Sequence, residues 1–188
     1  MRFVVLQGLS RRSCIIHDGQ IKIEIGPSVS KYEPPSITVF TLNQALDLNP
    51  VSKDIWDSIL AAYAALGTPG EANKLLQKKA KTIIKTIGKK EYDKLQAYVY
   101  SEEASLAVNG ADWVKQEDLF RKAAALDPDN PDYVIMLARV IHRSGHYQDS
   151  LDLLEKQRNL CKDDTCRKTI DESLQKEAFL ERLVRKLE

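Results

Sequence analysis

Val134, Leu137, Ala138, Ile141, Gly145, Tyr147, Ser150 and Leu154 form a spaced series of apolar, small and turn residues that returns twice nearer the N-terminus. Shifted back by 34 positions, the series lands on Tyr100, Glu103, Ala104, Ala107, Ala111, Trp113, Gln116 and Phe120. A further 44 back it lands on Trp56, Ile59, Leu60, Tyr63, Gly67, Pro69, Ala72 and Leu76. The punctuation recurs as well, since Leu126-Asp127-Pro128 stands 78 residues after Leu48-Asn49-Pro50, two periods of 34 with ten residues more. Each copy holds two stretches of helical spacing with a turn between them, and such a pair can bury only one side of itself. It must lean on its copies, which builds an extended binding surface rather than an enclosed catalytic pocket.

The local signals agree with paired helices. Small side chains at Ala104, Ala107 and Ala138 let two helices approach closely, while Leu76, Phe120 and Leu154 fill the space between them. Asn130-Pro131 offers a capping oxygen followed by proline at the first helical position, where no N–H is needed. Thr68 stands three residues before Glu71, the spacing of a capping box, and Gly67 can end the preceding helix.

This series resembles the tetratricopeptide repeat (TPR) family over residues 53–86, 97–130 and 131–164. Departures from the family pattern are Val134 for an aromatic residue, Glu103 for leucine and Gln116 for a small residue. The resemblance implies a mostly α protein, a TPR-like α-solenoid of antiparallel helix pairs. Ligands of the family usually lie in a concave groove lined by the first helix of each pair, helix A. Counted from each repeat start, that groove would hold Asp54, Asp57, Ala61 and Ala64, then Tyr98, Ser101 and Ser105, then Asp132, Ile135, Arg139, His142 and Arg143. It would be acidic at one end and basic at the other, with Arg139 and Arg143 one turn apart and able to face a carboxylate or phosphate. Some relatives clamp the C-terminal carboxylate of chaperone peptides with Lys and Asn on helix A. The corresponding residues here, Asp57, Ala61, Glu102, Asp132 and Met136, would repel or ignore it.

The N-terminal segment follows another period. Gln20 to Ile25 alternates apolar and polar side chains, and Asp18-Gly19 after Ser13 to His17 is a hairpin turn signal, so a β-hairpin is expected at about 13–25. Phe3–Leu6 and Ile37–Phe40 could add strands, with Thr41 to Leu48 a short helix. The chain thus divides into an N-terminal β-hairpin/strand element, 1–41, and a TPR-like helical repeat domain, 42–188. The hairpin either caps the first helical pair or offers a free edge for homo- or hetero-oligomers. At the other end Ile170, Leu174, Ala178, Leu183 and Leu187 recur at near-helical spacing, giving a capping helix at about 167–187, with a free coiled-coil segment as rival.

Composition narrows the function classes. A net charge of +1 over 188 residues gives no global drive toward nucleic acid or membrane. No apolar run is long enough to span a bilayer, and Met1 to Leu6 is too short for a secretory signal, so a cytoplasmic location is expected. Three cysteines do not make a disulfide framework; free or buried thiols are the simpler reading, with a Cys161–Cys166 bridge as rival. No phosphate loop, nucleophile elbow or HExxH occurs, and His142, His146, Cys161 and Cys166 are too loosely spaced to read as a zinc site, so no enzyme activity, cofactor or metal is expected. A second surface is the lysine stripe Lys74, Lys78, Lys81, Lys85 and Lys89, which is either the wet side of an amphipathic helix or a contact for RNA or an acidic partner. Few aromatic residues interleave with it to stack bases, which disfavours nucleic acid. The sequence therefore reads as a protein-protein interaction adaptor or assembly subunit that holds a partner peptide or subunit, with an RNA- or acidic-partner-binding factor as the alternative.

Overall fold

The structure is a computed structural model that describes residues 13–17, 20–24, 35–48, 52–107 and 112–184. Its helices follow in chain order as α1 (Pro35–Leu48), α2 (Lys53–Ala65), α3 (Pro69–Ile87), α4 (Lys89–Ala107), α5 (Trp113–Leu126), α6 (Pro131–Arg143), α7 (Tyr147–Leu160) and α8 (Asp164–Val184). Each packs on the next, and α2 also meets α4 while α6 meets α8. The units are α2 with α3, α4 with α5 and α6 with α7, with α1 before them and α8 after. This is a TPR-like solenoid.

The repeat seen in the sequence is a repeat of burial. Leu60, Ala104 and Ala138 are equivalent and all fully covered, as are Leu76, Phe120 and Leu154. Glycine makes the turns where a left-handed backbone is required: φ is +69° at Gly67 and +90° at Gly145, the same place in the first and third units. Asn130 accepts from the Asp132 N–H at 3.0 Å and caps α6 ahead of Pro131. Asp112 caps α5 in the same way, accepting from Lys115 N–H at 3.0 Å.

Several expectations are corrected. The ten residues inserted between the first two units lengthen helices rather than a loop: α3 and α4 have 19 residues each, and helix A of the second unit begins at Lys89 instead of residue 97. Ile37–Phe40 is helical, because Pro35 starts a helix that seats Val39, Leu42, Ala45 and Leu46 in the core formed with Trp56, Ile59 and Leu60; burial overrides the strand preference of Val39. Thr68 makes no capping bond; its hydroxyl turns back to the Tyr63 carbonyl at 3.4 Å, and Glu71 pairs with Lys74 instead. Cys161 and Cys166 are joined in a disulfide, their Cα atoms brought to 5.6 Å by the short connection between α7 and α8, so they are neither free thiols nor zinc ligands.

At the N-terminus an antiparallel ladder, β1 (Ser13–His17) with β2 (Gln20–Glu24), pairs Ser13 with Glu24 and His17 with Gln20. Among the described residues it makes no extensive contact with the helices, as a cap would; nothing supports the strands as an oligomerisation edge or as part of the fold class. Phe3–Leu6 lies outside the described residues.

Candidate functional site

Helix A positions of the first two units are exposed or half-buried, but much of their bonding capacity is already used. Asp57 pairs with Lys53 at 2.7 Å on the same helix, and Asp54 beside it stays exposed. Tyr98 faces Glu102 and Asp57, which places the inner faces of α2 and α4 side by side; burial pushes its phenol above the ordinary value, and the two carboxylates add to that. Ser101 donates to the Tyr98 carbonyl at 2.8 Å and Ser105 to the Ser101 carbonyl at 2.9 Å, so both hydroxyls are satisfied by their own helix.

The third unit departs from the expected groove. Ile135 and His142, expected to meet a partner, are buried beneath α8, where Ile135 and Ala138 join Ile170 and Leu174 in one apolar cluster. The imidazole Nδ1 of His142 lies 2.9 Å from a carboxylate oxygen of Glu177 on α8, without the alignment of a hydrogen bond, and its ring meets Tyr147 edge-on at 4.7 Å. The tertiary position of α8, which helix A spacing cannot report, covers these two residues.

What α8 leaves open is Arg139 and Arg143. With His142 they form one wall of a cleft of about 350 Å³ whose other wall is Lys176, Glu177, Phe179 and Leu180. Arg139 donates to the Met136 sulfur at 3.5 Å, and neither arginine nor Lys176 has a carboxylate partner among the described residues. Most other cations do: Lys115 with Glu103, Arg121 with Glu117, Lys122 with Asp118, Arg158 with Asp171 and Arg167 with Asp164.

The lysine stripe is broken in two. Gly88, at φ +90°, ends α3, so Lys74, Lys78, Lys81 and Lys85 share one helix while Lys89 opens α4 and pairs with Asp93. Lys74 is paired with Glu71 at 2.7 Å. Lys78, Lys81 and Lys85 remain exposed and unpaired, and Ile84 is the large apolar side chain exposed beside them on α3.

Among the described residues no group of three or more His, Cys, Asp or Glu could hold a metal ion, and no helix is long and apolar enough to cross a membrane. No family model and no curated protein matches the chain. Among solved structures it is similar to MamA, at 16% identity and a TM-score of 0.43, covering 79% of this chain and 89% of that one. It is also similar to a Podosopora anserina protein described as a kinesin light chain of nearly identical TPR-like repeats, at 15% identity and a TM-score of 0.48, covering 81% of each. At these values the architecture rests on the recurrent burial and helix pairing of the chain itself.

Proposed function

We propose that the protein is a non-catalytic interaction adaptor or assembly subunit that holds a protein partner along its helix A face, anchored at the basic end by Arg139 and Arg143. The observation that carries this reading is the pair of unpaired guanidinium groups one turn apart on a surface whose other cations are mostly neutralised. Arginine presents a planar fork of donors suited to carboxylate or phosphate, and two such forks on one helix face favour an anionic group on the partner.

A photo-crosslinking side chain placed at Ala61, Tyr98 or Lys78, with cells as the source of partner, tests the reading. Crosslinks from Ala61 and Tyr98 to one protein, lost in Arg139→Glu/Arg143→Glu with an unchanged thermal melt, are expected. Crosslinks confined to Lys78 and insensitive to the arginine reversal would favour the alternative, a binder of RNA or acidic partners through Lys78, Lys81 and Lys85. RNA capture would then fall steeply with added salt.

A further inference from the structure

The length of α8 creates a feature that a simple cap does not need. It has 21 residues against 13 in α6, and the two run in the same direction, since Ile170 joins Ile135 and Ala138 while Glu177 meets His142 seven residues further along each helix. The covered stripe of α8 is Ile170, Ser173, Leu174 and Glu177. One turn later α6 has ended, and among the described residues the stripe continues without a helix beneath it. Leu180 and Leu183 are therefore 44% and 42% exposed, and Phe179 beside them is 60% exposed. Large apolar side chains left exposed together on one stretch of helix mark a surface that something covers.

The charges around the overhang indicate what covers it. Arg139, Arg143 and Lys176 surround the same cleft as Phe179 and Leu180 and have no carboxylate partner among the described residues. The one carboxylate in the lining, Glu177, is buried against His142 and does not neutralise them. A purely apolar occupant would leave three cations in a partly desolvated rim, whereas an occupant with carboxylates beside a large apolar side chain matches both features.

We propose that the cleft between the end of α6 and the overhanging end of α8 takes an acidic peptide segment of a partner, its carboxylates on Arg139, Arg143 and Lys176 and its apolar side chain against Phe179 and Leu180. The proposal rests on the adaptor reading above and adds α8 as the second half of the site.

The test is fluorescence anisotropy with a labelled probe peptide of alternating Asp/Glu and Leu/Phe residues, against one control with Asn/Gln for the acids and another with Ser for the apolar residues. Binding at a Kd below about 1 mM is expected for the probe, with each control at least about tenfold weaker. Lys176→Glu and Phe179→Ser/Leu180→Ser, all at exposed positions, should each weaken the probe about fivefold or more with an unchanged melt, and Lys176→Glu should gain affinity for a Lys/Leu peptide. No binding of the probe, binding that ignores both α8 variants, or a chain dimer that Phe179→Ser/Leu180→Ser dissociates would each overturn the proposal. If these variants leave crosslinking to the partner intact while Arg139→Glu/Arg143→Glu removes it, the α8 half falls and the adaptor reading stands. If the arginine reversal itself leaves crosslinking intact, the adaptor anchor falls whatever the peptide does.

Discussion

Replacing Gln116 with methionine should make this protein more stable. Gln116 lies on α5 at 0% exposure, in the place that Ala72 holds in the first unit and Ser150 in the third, and neither its amide nitrogen nor its carbonyl oxygen has a hydrogen-bond partner among the described residues. A buried polar group left without a partner costs roughly 1–3 kcal/mol. Methionine has nearly the same length and helix propensity, fills the same space and has no amide to satisfy, so Gln116→Met should gain about 1–3 kcal/mol. For a chain of this size each kcal/mol corresponds to about 2–4 °C in Tm. Because α5 packs on both α4 and α6, the gain should appear in the main transition rather than in a frayed end. Urea unfolding followed by helical circular dichroism would report it as a higher midpoint at unchanged slope. Gln116→Ala is the control that separates the terms, since it also removes the amide but leaves a void, and should lose part or all of the gain. A loss of more than about 1 kcal/mol for the methionine variant would refute the reasoning and show that the amide is satisfied in solution.

Other consequences follow from the same packing. Leu154→Ala, at a fully buried position shared by α6, α7 and α8, should destabilise by about 2–5 kcal/mol in chemical denaturation. Asp129 accepts from both Lys162 at 2.6 Å and Lys90 at 3.1 Å, and these bonds hold its carboxyl below the ordinary value. Its contribution is present above the unfolded-state pKa and lost as pH falls through the depressed folded value, so a Tm-against-pH curve for Asp129→Asn should lose part of the acid-side slope. Cys161→Ser/Cys166→Ser should lower stability by about 2 kcal/mol through the opened six-residue loop, and reductant should lower the wild-type Tm while leaving that variant unchanged.

The features legible in the sequence are those set within one unit. Ala104 and Ala138 had to be covered because a helix pair needs close approach at that step, and Gly67 and Gly145 had to turn because their neighbours end and begin helices. The strand signal at Ile37–Phe40 does not hold because strand preference is weak beside packing, and Val39 finds its packing on α2 as part of a helix. Lys89 misled because spacing along a stripe is blind to a single glycine that ends the helix at Gly88. The disulfide was only one of two readings, since spacing alone cannot say whether two cysteines five apart face each other.

The candidate site was half legible for a related reason. Helix A spacing finds every side chain that points to one face, but whether that side chain is free depends on its partners. Asp57 is held by Lys53, Ser101 and Ser105 by their own backbone, and Ile135 and His142 by α8. Of the twelve positions expected to line the groove, Arg139 and Arg143 keep the most unspent donor capacity, because α8 covers His142 between them and sets its Glu177 carboxylate against that imidazole. The capping helix thus acts as a filter. It hides the apolar flank of the α6–α7 unit, and it concentrates the available charge of that unit into one cleft at its own rim. A variant that shortened α8 after Ser173 would remove Glu177 and Lys176 together, exposing His142 while leaving Ile170 over Ile135, and would disperse that charge. It should therefore lower stability and also lose the acidic probe, whereas Lys176→Glu should lose the probe alone.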